Sequence, residues 1–284
     1  MNGDILLRVE ELRYTYDGGD APALDGLSLR IRRGSRVALM GANGSGKSTF
    51  LLCCTGVCRP QSGRLEFDGE EVSFRKKDLL RLRRRVGIVF QDPDNQLFSA
   101  SVLQEIAFGP LNLGLSPEEA RREAEIVMER LGIAPFAHKP AHALSGGQKK
   151  LVSIADILVM RPELILFDEP AAALDPKHAA IVNRIIEGLT AQGMTVLLST
   201  HDVDYAYGWA DEVILFHEGR VLRQGPADEV LRDREALLAA NLQLPAVPRF
   251  YDALCAAGVL DPSVPCPRTM EALETLISAR RAEP

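Results

Sequence analysis

A chain of 284 residues, 46% hydrophobic and 25% charged, has the composition of a globular protein with one large domain or one domain plus an appendage. No apolar run approaches the roughly 20 residues needed to span a bilayer, and Met1-Asn2-Gly3-Asp4 opens with neither a basic nor an apolar leader, so a cytoplasmic chain is expected. A net charge of −6 counts against a general nucleic-acid binder, although Arg75 to Arg85 is a local basic run.

In chain order, Ile5 to Tyr14 alternates in part and Leu27 to Ile31 strictly, the pattern of half-buried strands. Asp17-Gly18-Gly19-Asp20-Ala21-Pro22 between them is a turn segment. Tyr16, just before that turn, is either simple packing or a ring that stacks on a flat ligand. The apolar run Val37 to Met40 is followed by Gly41-Ala42-Asn43-Gly44-Ser45-Gly46-Lys47-Ser48-Thr49 and then by the helix-compatible Phe50-Leu51-Leu52. Glycines so placed let the backbone turn sharply and aim successive N–H groups inward, where a chain of phosphates can sit at the positive end of a helix. Lys47 would reach the β- and γ-phosphates, and the Ser48 hydroxyl would take a Mg²⁺ position.

Cysteine arithmetic gives five residues, Cys53, Cys54, Cys58, Cys255 and Cys266, an odd number that argues for free thiols. Cys54 and Cys58 share i,i+4 spacing, but on a helix that must pack behind the phosphate loop they read as buried core residues rather than metal ligands. Arg64 to Phe67 reads as a strand. Arg81, Arg83, Arg84 and Arg85 read as a solvated helix face leading into the strand Val86 to Phe90, which ends at Gln91. From Gln96 to Met160 the pattern is helical, with Ser116-Pro117-Glu118-Glu119 as a helix start, Leu131-Gly132 as its stop, and a further helix opening at Ala143 to Gln148. Strand signals resume at Leu164 to Phe167, followed by Asp168-Glu169-Pro170; a helix runs from Pro176 to about Gln192, and Thr195 to Ser199 is a buried strand before Thr200-His201-Asp202.

Strands separated by helices imply a parallel sheet covered on both faces. The expected fold is α/β with an inserted α-helical subdomain at about 96–160, and the family likeness carried by the motifs below implies a P-loop NTPase (RecA-like) core with an antiparallel β-subdomain. The fold closes with a hairpin at Val213 to Leu222. The main domain is expected over 1–230, and a small C-terminal helical extension, broken by prolines, over 231–284.

Asp168, at a strand end, is placed to hold the Mg²⁺ shell of a nucleotide in the phosphate loop. Glu169 beside it is a candidate to orient or deprotonate the attacking water. Leu144-Ser145-Gly146-Gly147-Gln148 resembles the signature of ATP-binding cassette (ABC) proteins, and the remaining motifs follow that family's order across roughly residues 5 to 230. Tyr16 is similar to the family's adenine-stacking aromatic, Gln91 to its Q-loop glutamine, Ala173-Leu174-Asp175 to its D-loop and His201 to its switch histidine.

The resemblance implies ATP and Mg²⁺ as cofactors and a head-to-tail ATP-sandwich dimer with a second copy of the chain. A Ser-Gly-Gly turn opening a helix is itself an anion site. It would cap the γ-phosphate held by the other subunit. In this likeness Glu169 polarises the water, Lys47 and His201 contact the γ-phosphate, and Gln91 ties the metal or water to the helical insertion.

Val86 to Phe98 and Glu105-Ile106-Ala107-Phe108-Gly109-Pro110 are further similar to the ATPases of energy-coupling-factor importers. Gly147 to Lys150 and the tail around Leu242 to Pro245 resemble the cobalt-uptake members of that group. What this implies is import of a transition-metal ion, cobalt before nickel or a vitamin, with a transmembrane scaffold and a substrate-capturing membrane subunit as partners and no nucleic acid. Ala171, Ala173 and Leu151 depart from the family's usual residues without removing a phosphate, metal or water ligand. A soluble cassette protein acting on ribosomes or DNA is disfavoured by the acidic charge and the absence of a long coiled-coil insertion. A P-loop kinase is disfavoured by Ser145 to Gln148. His138 and His142, separated by Pro140, read as surface residues.

Overall fold

The computed structural model describes residues 4–281. The leader reading therefore rests largely on Met1 to Gly3, outside the described residues, as do the last three residues of the expected extension.

The chain begins with β1 (Ile5–Tyr14) and β2 (Leu24–Arg32), paired antiparallel with Val9 opposite Leu29. β3 (Arg36–Met40) runs into the glycine loop and α1 (Lys47–Cys54). β4 (Ser62–Phe67) and the short β5 (Glu70–Glu71) return to the first sheet, whose order is β2-β1-β4-β5. After α2 (Lys76–Arg85) and β6 (Val86–Val89) comes the helical insertion, α3 (Val102–Asn112), α4 (Pro117–Arg130) and α5 (Gly146–Leu158).

The chain then alternates β7 (Leu164–Asp168), α6 (Pro176–Ala191), β8 (Thr195–Ser199), α7 (Val203–Trp209) and the hairpin β9 (Glu212–His217) and β10 (Arg220–Pro226). It ends in α8 (Ala227–Val230), α9 (Arg234–Ala239), α10 (Ala246–Ala256) and α11 (Met270–Arg281). The second sheet has the order β10-β9-β3-β8-β7-β6, parallel except for the closing hairpin.

Side-chain alternation in the parallel strands divides the interior in two. Val37, Leu39, Leu164, Leu166 and Leu197 face α1 and the antiparallel sheet, whereas Ala38, Met40, Ile165, Phe167, Val196 and Leu198 face the helical insertion and the C-terminal helices. Such strands are buried on both faces, which is why β7 and β8 read as unbroken apolar runs. The α4 start forms as its sequence dictates. Ser116 Oγ accepts from Glu119 N at 3.3 Å while Glu119 Oε2 accepts from Ser116 N at 2.9 Å. Ala143, expected to open α5, lies instead in a 3₁₀ turn at Ala141–Ala143, and the cap of α5 is Ser145.

The arginine run lies on a solvated helix face as read, with Arg81, Arg83 and Arg84 exposed, and it also bridges neighbouring elements. Arg83 donates to the carbonyls of Thr55 and Gly56 (3.2 and 3.1 Å) and Arg84 to that of Leu113 (2.9 Å), so they satisfy carbonyls left over at the ends of α1 and α3. Arg85 pairs with Asp68 and Glu163, and Arg33 joins the same two carboxylates. The solvated run thus also serves as a set of struts between elements.

The C-terminal segment packs on α7. Leu237, Val247, Tyr251 and Leu273 share a cluster with Tyr207 and Trp209. Asp204 accepts from Ala246 N at 2.6 Å, and the Arg268 guanidinium lies 5.1 Å from the Tyr207 ring while donating to the carbonyl of Ala210.

Candidate functional site

β3, β7 and β8 end at Met40, Asp168 and Ser199, and the segment after β6 reaches Gln91, so one rim of the parallel sheet gathers the residues singled out by sequence. Ligands of open α/β sheets bind at this carboxyl edge. A cavity of about 410 Å³ opens there, lined by Tyr16, Asn43, Gly44, Gly46, Lys47, Ser48 and Thr49 from the loop side and by Gln91, Asp168, Glu169, Ser199 and His201 from the strand ends. Gly41, Ala42 and Ser45 complete the loop's backbone. Gly41 has φ of 142°, and a Cβ there would meet the Phe216 carbonyl oxygen at 2.2 Å, so only glycine fits this turn.

Lys47, 6% exposed, folds back on its own loop and donates to the carbonyls of Gly41 (2.8 Å) and Ala42 (3.0 Å). Burial pulls its ammonium below the ordinary lysine value, while Glu169 and Asp168 oppose that shift. Tyr16 leaves about half its surface exposed at the cavity mouth; its hydroxyl shares a hydrogen bond with Thr49 Oγ1 (3.1 Å), and its ring meets Tyr14 edge-on.

Asp168 is 7% exposed, and its Oδ1 is buried without a hydrogen-bond partner, as is Ser45 Oγ. Glu169 sits at φ of 44°, the left-handed region, its N–H tied to the Ser199 carbonyl at 3.1 Å. Its Oε1 lies 2.9 Å from His201 Nε2, close but not aligned as a hydrogen bond. Burial is the main influence on the Glu169 carboxyl and raises it above the usual value, against the nearby His201 and Lys47 charges. A carboxylate so tuned is a stronger base than one in water.

The signature residues do not reach this cavity. Ser145 caps α5 with a reciprocal pair to Gln148: Gln148 Oε1 accepts from Ser145 N at 3.0 Å, and Ser145 Oγ from Gln148 N at 3.3 Å. Gly146 is exposed, while Gly147 is pressed on by His178, whose ring a Cβ at 147 would meet at 2.2 Å. Asp175 caps α6 by accepting from His178 N at 3.0 Å, and its Oδ2 lies 2.5 Å from His178 Nδ1. The signature turn and the Asp175 loop are therefore neighbours within the chain, apart from the phosphate loop.

Sequence reasoning did not single out Ser199 or Lys150. Ser199 lines the cavity with its hydroxyl buried and unpartnered. Lys150 is 1% exposed and donates to the carbonyls of Phe90 and Gln91 at 2.7 Å each. Its burial, against the attraction of Asp92 and Asp168, brings the ammonium down to about 8. The available signal was a lysine within the otherwise apolar face of α5.

The family described as ABC transporter matches residues 24–172. Among curated relatives, the cobalt import ATP-binding protein CbiO of Rhodobacter capsulatus is 46% identical, covering 94% of this chain and 95% of its own. The energy-coupling factor transporter ATP-binding protein EcfA of Methanosphaera stadtmanae is 41% identical, with 88% and 89% covered. Among solved structures, cbiO1 from Clostridium perfringens, described as part of the ABC transporter complex cbiONQ, superposes with a TM-score of 0.73 at 41% identity, covering 88% of this chain and 99% of that one.

Proposed function

The chain belongs to the ABC transporter family and is an ATPase; from that premise we propose that it is the motor subunit of an energy-coupling-factor importer that takes up a transition-metal ion, cobalt before nickel. The observation that carries the motor reading is the meeting of Lys47, Asp168, Glu169 and His201 in one cavity while Ser145 and Asp175 stand outside it. A single chain thus offers half of two nucleotide sites. Two copies arranged head to tail complete both, each signature turn closing on the partner's nucleotide.

In this arrangement the loop N–H groups hold the phosphates and Lys47 exchanges its contacts with Gly41 and Ala42 for the β- and γ-phosphates. Tyr16 stacks on the adenine. Glu169 takes the proton of the attacking water, and His201, beside it, steadies the γ-phosphate. The partner copy's Ser145, Gly146, Gly147 and Gln148 cap that phosphate, with Asp175 at the seam. The donor set suits Mg²⁺: Ser48 hydroxyl, Gln91 amide oxygen and the unpartnered Asp168 Oδ1 are hard oxygen ligands. When bound, the ion neutralises charge that develops on the phosphate oxygens.

No helix among the described residues is long and apolar enough to cross a membrane, and in our reading the chain is peripheral on the cytoplasmic face. Phe98 and Phe108, 68% and 44% exposed with rings 5.0 Å apart, offer an apolar platform at the start of the helical insertion for the transmembrane scaffold. The cobalt reading rests on likeness to the cobalt import relative. A vitamin in place of the metal leaves the motor unchanged.

The test is Glu169→Gln, which keeps shape and removes the base. It should bind ATP, form a stable ATP-bound dimer and stop hydrolysis. Cells carrying the presumed membrane partners should take up labelled cobalt with the wild-type chain and not with the variant. Hydrolysis near the wild-type rate would remove Glu169 from the mechanism, and Glu169-dependent uptake of nickel in place of cobalt would reassign the cargo.

A further inference from the structure

We propose that Lys150 is a positioning residue for Gln91, its buried ammonium clamping the carbonyls on either side of the Phe90–Gln91 step so that the glutamine side chain stays aimed into the nucleotide cavity. The proposal rests on the reading of Gln91 as a metal or water contact.

A lysine almost wholly removed from water is rare unless paired. Here Nζ has no carboxylate in direct contact and instead spends two of its three donors, at 2.7 Å each, on the backbone of the segment that carries Gln91. The nearest charges acting on it are Asp92 and Asp168, the first in the same segment and the second in the cavity. Its neighbours bind the same stretch a little further on. Lys149 pairs with Asp94 at 2.6 Å, and Gln96 donates to the Ser153 carbonyl at 2.8 Å and to Asp156 at 3.0 Å. The stretch after β6 is thus fastened along the length of α5, and Lys150 is the fastening nearest the cavity. Gln91 is itself on the cavity wall. Without the clamp, the two carbonyls lose the donor that fixes them and the segment is released to rotate, carrying the Gln91 side chain with it.

The experiment uses the purified full chain with Lys150→Met, Gln91→Ala and the double variant. Lys150→Met keeps side-chain length and removes the donors. Fluorescent-ATP affinity should stay within about twofold, because the phosphate loop is untouched. The turnover number should fall at least about tenfold, and the Mg²⁺ concentration for half-maximal rate should rise several-fold. Gln91→Ala should show the same pattern, and adding Lys150→Met to it should lower turnover by less than about twofold more, the non-additivity of residues acting as a unit. If Lys150→Met does not fold, Lys150→Leu, which likewise removes the donors, enters the same cycle, with thermal melting to separate lost fold from lost rate.

Losses that multiply in the double variant would show that Lys150 acts independently of Gln91 and overturn the proposal. Gln91→Ala impaired beside a Lys150 variant with wild-type turnover would overturn it while leaving the reading of Gln91 intact. Gln91→Ala with wild-type turnover and Mg²⁺ dependence would overturn both.

Discussion

Replacing Asp156 with asparagine should shift stability in favour of the variant by an amount that grows with pH. Asp156 lies on α5, its Oδ2 accepting from Gln96 Nε2, with Glu105 nearby. Burial pushes its carboxyl up to about 7 from an ordinary 3.8. The folded chain therefore holds a proton between those values that the unfolded chain has released, so wild-type stability declines as pH rises through that window and the full cost is present above about 7. Between pH 4.5 and 7.5 about two and a half pK units are traversed, or roughly 3 kcal/mol at about 1.4 kcal/mol per unit. That is an upper figure, since the residue as a whole keeps some contact with solvent.

Asparagine does not titrate and keeps an oxygen for Gln96. Its extra N–H groups add an offset of about 1–3 kcal/mol if unpaired, but that offset is independent of pH. The assay is urea unfolding of both proteins at pH 4.5, 6 and 7.5. The difference in unfolding free energy should move in favour of the variant by about 2–3 kcal/mol across the series. Parallel pH profiles would refute the reasoning, because they would mean that Asp156 carries the same proton affinity folded and unfolded.

Lys47→Ala should weaken ATP binding by about ten- to a hundredfold, the scale of one or two lost charge-assisted hydrogen bonds; unchanged affinity by calorimetry would sink the assignment of the phosphate loop. Glu163 behaves oppositely to Asp156. Its hydrogen bond from Arg85, with help from Arg33, holds the carboxyl down at about 2, so its contribution is present above about 4.5 and is lost as pH falls toward 2. Glu163→Gln should then unfold at lower urea than wild type at pH 6, with the gap narrowing by pH 3. A constant gap would assign the effect to packing.

The strand, glycine turn and helix from Arg36 to Cys54 were legible because their demands are local: Gly41 to Thr49 must turn, expose N–H groups and start a helix, and each demand falls on adjacent residues. The same holds for β7 and β8, whose unbroken apolar runs announce burial on both faces, and for the Ser116–Glu119 box that starts α4. What composition did not reveal was the bridging done by Arg83 to Arg85 from their solvated face. Their partners, the carbonyls of Thr55, Gly56 and Leu113 and the carboxylates of Asp68 and Glu163, are distant in sequence or belong to the backbone. Lys150 escaped for the same reason. A donor whose acceptors are carbonyls of another segment leaves its partners unmarked in the sequence, the one signal being a lysine on the otherwise apolar face of α5. The spacing of His201 from Glu169 likewise needs the parallel pairing of β7 with β8, which places Asp168 opposite Ser199.

The packing of the C-terminal helices on α7 couples the tail to the sheet edge that carries the cavity. Asp202 caps α7 immediately after His201, accepting from Tyr205 N at 2.9 Å, and the far end of the same helix leads into Ala210, whose carbonyl is held by Arg268. Amide protons of α7 should therefore exchange with solvent at the rate at which the tail lifts, in step with tail amides rather than with the slower interior of β8. An opening that began near Arg268 would loosen the helix to which His201 is joined, so the segment after β10 helps decide how firmly that histidine is seated.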